Sequence, residues 1–316
     1  QVCSWLRASA TLRLCVRSSS SLGMHVRGRI FARCASLGLR SACAMTFLMT
    51  HILACYAAAT VGAIATVVTK RQGLFTAAVV IMLVGFGLHS ADLAIHIVQD
   101  GHLPLYGAQE VCSFLGWSLV LYFLLVQLRF PTHALAALVF PTAMTLTLIS
   151  AIAPPIETRP TSLTDDPVLF SFHAGLMLLA YGAFFTMFMA ALLYITQERE
   201  IKGKHFGAIF HRLPSLDTCD SIGFRSLAIG FVMLTAGIAF GMLWQYRRVG
   251  TLWTNTPIEL VAVCTWLVYF FLVHHRLTSG WRGRRAAIGA IVGFGLVVVS
   301  LTVLRFSTGF HSLSPW

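Results

Sequence analysis

The run VLFSFHAGLMLLAYGAFFTMFMAALLYIT, residues 168–196, holds twenty-nine residues without a single Asp, Glu, Lys or Arg, and its one imidazole is His173. At 1.5 Å of rise per residue such a run reaches roughly 44 Å as a helix. That exceeds the roughly 30 Å of bilayer hydrocarbon that about 20 apolar residues span. It has no period-two alternation, so a half-buried strand is excluded, and its length excludes a short core strand. Similar runs lie on both sides, at 46–69, 74–98, 111–128, 133–153, 224–244, 258–275 and 286–304. With 168–196 these make eight candidate crossings. The fold class they predict is all-α, a polytopic integral membrane helix bundle of about eight transmembrane helices embedded in the lipid bilayer.

Composition agrees. Hydrophobic residues make up 57% and charged residues 11% of the 316, against about 45–50% and 25% in soluble domains. The net charge of +12, from 23 Lys and Arg against 11 Asp and Glu, could suit nucleic acid. Its distribution argues otherwise. The connections after spans one, three, five and seven carry eleven Lys and Arg, those after spans two, four and six carry three. Basic residues segregate this way when they mark cytoplasmic loops. Both ends of the eight-span core then face outward, and no nucleic acid partner is expected. The eight cysteines are scattered singly, with no CxxC or CxxCH. A zinc knuckle, a thioredoxin-like pair and a c-type haem attachment site in this chain are therefore excluded.

Residues 1–44 differ from the rest. They hold seven arginines, the serine run 18–21 and no acid, the composition of a transit peptide. Two readings stand: upstream sequence before a start at Met45, or a targeting segment. In either case 1–44 is expected to stand apart from a membrane domain over 45–316.

Sidedness sorts the histidines. His173 lies near the outer end of span five, and His311 follows span eight on the same side. Two imidazoles on one face are what a six-coordinate haem iron takes, although outer-face histidines also occur without a ligand. His89 lies within span two, with His96 seven residues on along the same face. An ionisable side chain within a span costs a few kcal/mol, so each is a functional candidate, set against a hydrogen bond to a neighbouring helix. His274 and His275 end span seven, and His205 and His211 lie in a basic loop. Trp244, Tyr246 and Trp253 flank the connection after span six, as an interfacial belt or as a platform for a flat ring. Asp165, Asp166, Glu110 and Glu259 lie at the outer face.

Several ordered stretches resemble the cytochrome c biogenesis membrane proteins of the CcsA/ResC type, with their HemX-like relatives. They are GHLPL (101–105) with Glu110, FHA through LAY (172–181), LPSLD (213–217) with Phe224-Arg225 and Gly230-Phe231, TWLVY (265–269), GWRGRRA (280–286) and GFHS (309–312). By that resemblance His173 and His311 take the family's external haem-ligand positions, His274 its inner histidine, and His89 a histidine of the second span. Trp253 would pack on the ring, and the cargo would be haem b. The resemblance implies a haem-binding protein of cytochrome c maturation, at most the haem-presenting subunit of a cytochrome c synthase complex. It would work with a CcsB/ResB-like membrane subunit and an apocytochrome c at the outer face of a bacterial inner membrane. An organellar membrane is implied if 1–44 is a transit peptide. One stretch departs from the pattern. The family's loop reads approximately WGxxWxWDPKE, whereas residues 249–259 read VGTLWTNTPIE. Gly250, Trp253, Pro257 and Glu259 remain; two tryptophans and an aspartate become Val249, Asn255 and Thr256. That erosion favours a HemX-like accessory role in tetrapyrrole synthesis. A small-solute transporter is the reading from another class, but it predicts internal repeats and none is visible.

Overall fold

The computed structural model describes the backbone of residues 24–69, 71–153, 166–204 and 212–306, with side chains of those from 47 to 303 except residue 100. His311, His205, His211 and Asp165 lie outside the described residues. Eight helices follow in chain order: α1 (Met24–Thr69), α2 (Gln72–Asp100), α3 (Ala108–Gln127), α4 (His133–Ile152), α5 (Pro167–Lys202), α6 (Leu216–Val249), α7 (Pro257–Thr278) and α8 (Arg284–Phe306). All eight contain a stretch long and apolar enough to cross a membrane, and no strand occurs among the described residues. The chain is a multi-pass membrane protein.

Helix ends follow local chemistry. Asp166 caps α5, its carboxylate accepting from the Leu169 N–H at 3.2 Å, and Pro167 occupies the first turn where no amide partner is needed. Ser215 caps α6 in the same way through the Thr218 N–H at 3.2 Å. Gly250 ends α6 at φ 75°, in the left-handed region where a side chain is disfavoured. Helices α5 and α6 outrun the apolar windows 168–196 and 224–244. The last turn of α5 continues through charged positions because Glu198 and Lys202, one turn apart, pair at 2.7 Å.

Helix α5 is the hub. The most apolar window of α5 is 72% buried, against 17–56% for the other seven. Its main neighbour is α6, and it also packs on α3, α4 and α8. One core lies among the first four helices, around Ile52, Tyr56, Met82, Phe123, Leu135 and Phe140. The other lies around Leu178, Phe184, Leu234, Trp244 and Tyr269 in the second half. Phe184 and Tyr269 stack with ring centroids 3.5 Å apart. Gly230 on α6 admits them: a methyl there would fall 2.5 Å from the Phe184 ring.

Candidate functional site

A cavity of about 250 Å³ opens at one end of the second half of the bundle, somewhat below the roughly 300–1,000 Å³ of common ligand sites. Its walls come from α5, α6, α7 and α8 with Val111 at the start of α3, and the segments before α3 and after α6 also line it. His173, Trp253, Tyr181, Gln245, Glu259 and Ser300 are among its polar or aromatic features, set among Leu178, Ile238, Val263 and Leu301. A mostly apolar chamber with a few placed polar groups is the usual character of a small-molecule site.

His173 is the most informative of these. It is half-buried on α5, and its Nδ1 lies 2.8 Å from the Gly237 carbonyl oxygen on α6. A carbonyl can only accept, so Nδ1 carries the proton and donates; in the neutral ring Nε2 then carries the lone pair. This is the arrangement by which an outer hydrogen bond fixes the tautomer of a metal-binding imidazole.

The loop after α6 has its own architecture. Asn255 sits at φ 58° and its Oδ1 accepts from the Trp253 indole N–H at 2.6 Å. Glu259 reaches back from the first turn of α7 to accept from the Thr254 N–H at 3.0 Å, the Thr254 hydroxyl at 2.5 Å and the Thr256 N–H at 3.4 Å. Gln245 donates to the Thr254 hydroxyl at 3.3 Å. Trp253, 41% exposed, thus forms part of the cavity wall on a turn tied down by its neighbours. Trp244 is instead a core residue, 2% exposed and packed against Phe170, and Tyr246 is exposed. Of the acids at this end, Asp166 caps α5 and meets Arg247 at 3.1 Å. Glu110 accepts from the Tyr106 N–H at 2.8 Å.

The structure brings His173 and Trp253 to one cavity; His311 lies outside the described residues. His89 is elsewhere, fully buried between α1 and α3. Its Nε2 is 2.9 Å from Ser113 Oγ and its Nδ1 is 3.2 Å from the Tyr56 hydroxyl. His96 on the next turns lies 3.9 Å from Asp92. His274 stands exposed near the far end of α7, stacked on Phe270 with centroids 6.0 Å apart. It is fifteen residues from Glu259, roughly 22 Å along the helix.

Two residues of weight carry no signal in a motif scan. Asp220 on α6 and Arg276 on α7 form a bidentate pair at 2.9 and 2.6 Å. Asp220 also accepts from the Gly283 N–H at 3.0 Å, and Arg276 donates to the Trp281 carbonyl at 2.9 Å. Gly283 takes φ 67°, and a methyl there would lie 2.7 Å from the Tyr194 hydroxyl. The first turns of α6, just after LPSLD, therefore meet GWRGRRA in one node at the end opposite the cavity.

Comparison with known proteins now bears on this geometry. The family model described as cytochrome C assembly protein matches residues 105–311, about two thirds of the chain. This chain belongs to the cytochrome c assembly protein family. The matched region takes in α3 to α8 and hence every wall of the cavity. Among individual relatives, the cytochrome c biogenesis protein CcsA of Gloeothece citriformis is 29% identical over 301 residues, covering 80% of this chain and 90% of its own. The CcsA proteins of Porphyra purpurea and Mesostigma viride are 27% and 29% identical. Their matches cover 75% and 70% of this chain and 86% and 80% of theirs. The chain is thus a CcsA-type member of the cytochrome c assembly family.

Proposed function

We propose that this CcsA-type protein serves cytochrome c maturation by holding haem, as cargo, in the cavity at the end of α5 to α8. The observation that carries the reading is His173: a tautomer with its lone pair on Nε2, on the wall of an apolar chamber that also presents an indole. The imidazole, the indole and the apolar walls suit a flat, apolar macrocycle with a central iron, of which the chamber of about 250 Å³ would enclose a part. His173 is the iron ligand from the described residues, Trp253 packs on the ring, and His311 supplies the second imidazole. Bound haem brings the porphyrin whose vinyl groups accept the thiols of an apocytochrome. The chain's own part would be to orient the ring, exclude water with apolar walls and offer imidazole to the iron. His274 is the candidate for the opposite side of the membrane, on the exposed face of α7. Partners in this reading are a CcsB/ResB-like membrane subunit and an apocytochrome c. The membrane is a bacterial plasma membrane, or an organellar one if 1–44 is a transit peptide, with the cavity at its outer face.

Protein purified from membranes is expected to carry low-spin haem Soret and α bands. His173→Ala combined with His311→Ala is expected to abolish them, and an unchanged spectrum would remove both ligands. The loop supports a second reading. Asn255 and Thr256 serve the turn itself, where the family pattern has a tryptophan and an aspartate. A HemX-like member would hold haem yet fail to attach it. Measuring covalent haem on a co-expressed CxxCH apocytochrome separates the two.

A further inference from the structure

The bond between His173 and the Gly237 carbonyl is unusual in where it lands. That carbonyl belongs to the middle of α6, where the helix already directs it to the N–H of residue 241, one turn on. Side chains in a helix lean toward its N-terminus, so the residue at i+4 normally shields the carbonyl at i. Here residue 241 is glycine. A methyl built at Gly241 would lie 2.5 Å from His173 Nδ1 and 2.7 Å from Cε1, closer than real side-chain carbons come. The imidazole occupies the space a side chain at 241 would fill. One turn back, a methyl at Gly237 would meet Met177 Sδ at 3.1 Å, so this glycine seats the next turn of α5. The spacing Gly237-x-x-x-Gly241 is a pattern by which membrane helices approach closely. Here it performs two tasks: Gly237 brings α5 near, and Gly241 bares a carbonyl to the ring.

We propose that Gly241 is the positioning residue of the His173 site: by lacking a Cβ it lets the imidazole reach the Gly237 carbonyl, which sets the ring's orientation and leaves Nε2 as the ligating nitrogen. This rests on the reading of His173 as an iron ligand. The full-length Gly241→Ala protein is expected to lose about tenfold or more in haem affinity, the scale on which supporting contacts of metal ligands act. Its low-spin bands should weaken, and added imidazole should restore them by taking the vacated axial position. Gly223→Ala, on the same helix with nothing within 4 Å of the added methyl, should match the parent protein. Parent-like affinity and spectrum in Gly241→Ala overturn the proposal, as does failure of imidazole to restore the bands in a folded variant. A readout without haem covers a Gly241→Ala protein that does not accumulate. In protein labelled with ¹⁵N-histidine, the signal lost in His173→Ala should report a proton on Nδ1; a proton on Nε2 alone overturns the proposal. If His173→Ala retains haem and its bands, the ligand reading fails, and the same nitrogen spectrum taken on Gly241→Ala still decides whether Gly241 sets the tautomer: an Nδ1 proton kept there overturns that part.

Discussion

Asn255 holds the turn before α7 at φ 58° and anchors the Trp253 indole at 2.6 Å. Asparagine tolerates the left-handed region, whereas other non-glycine residues lose roughly 1–2 kcal/mol there. Asn255→Gly is therefore expected to keep the turn but release the indole, and Asn255→Ala to disturb both. Acrylamide quenching of tryptophan emission should rise modestly in the first and further in the second; equal quenching in both would contradict the backbone argument. Restoring the family's loop meets the same obstacle. Val249→Trp with Thr256→Asp leaves the turn intact, since aspartate is a good helix N-cap, whereas adding Asn255→Trp puts a bulky side chain at positive φ. Aligned to the family pattern, Asn255 reads as a lost tryptophan. Its turn role was legible only in the Asn-Thr-Pro chemistry around it. His89 gives the complementary lesson. Its place in a span was legible, but its partners were not, because Tyr56 and Ser113 come from other helices. His89→Ala leaves both hydroxyls buried without it, which should cost about 1–3 kcal/mol. The haem bands expected from the proposed His173 site should persist in that variant. Loss of those bands, with stability unchanged, would return His89 to the ligand list.

Between helices, the Asp220–Arg276 pair is the clearest device that hydropathy cannot reveal. The partners are 56 residues apart, and the chain reads Arg276 only as one more basic residue beside GWRGRRA. Both side chains are about one-tenth exposed, so removing one strands the other's charge in a poorly solvated place. Asp220→Ala is expected to destabilise the detergent-solubilised protein by about 3 kcal/mol. Asp220→Ala with Arg276→Met should lose less than the two single variants added together, because the second change removes the stranded charge. Additive losses in a denaturation cycle would mean that the pair is not coupled. Helix existence, by contrast, was legible from apolar runs alone. The ends were not, since α5 runs on to Lys202 and α6 begins at Leu216. Hydropathy falls where charge begins, while the helix continues on caps and i,i+4 pairs.

At the scale of the whole molecule, side-chain contacts gather the connections into two sets. Asp166 at the start of α5 meets Arg247 at the end of α6, so these ends share the cavity side. At the other end, Gln72 meets His133 at 2.8 Å, Arg212 meets the Val68 carbonyl at 3.2 Å, and Asp220 meets Arg276. Glu198 also lies 3.9 Å from Arg284 at that end. This second set holds the connections after the odd-numbered helices, the same ones that carry eleven of the Lys and Arg. The alternation read from charge counting therefore matches the packing. The absolute direction rests on the positive-inside rule, which places the basic end in the cytoplasm. Arg247, on the minority side, is paired with Asp166, and the Arg248 guanidinium lies 5.2 Å from the centroid of the Trp244 ring. In a cysteine-free background, a membrane-impermeant maleimide applied to intact cells should label Thr251→Cys on the loop beside the cavity. It should not label Lys202→Cys or Arg282→Cys. Inverted membrane vesicles should give the reverse. Labelling of Lys202→Cys from outside the cell would turn the molecule over, put the His173 cavity on the cytoplasmic side, and end any account in which it offers haem to an exported apocytochrome.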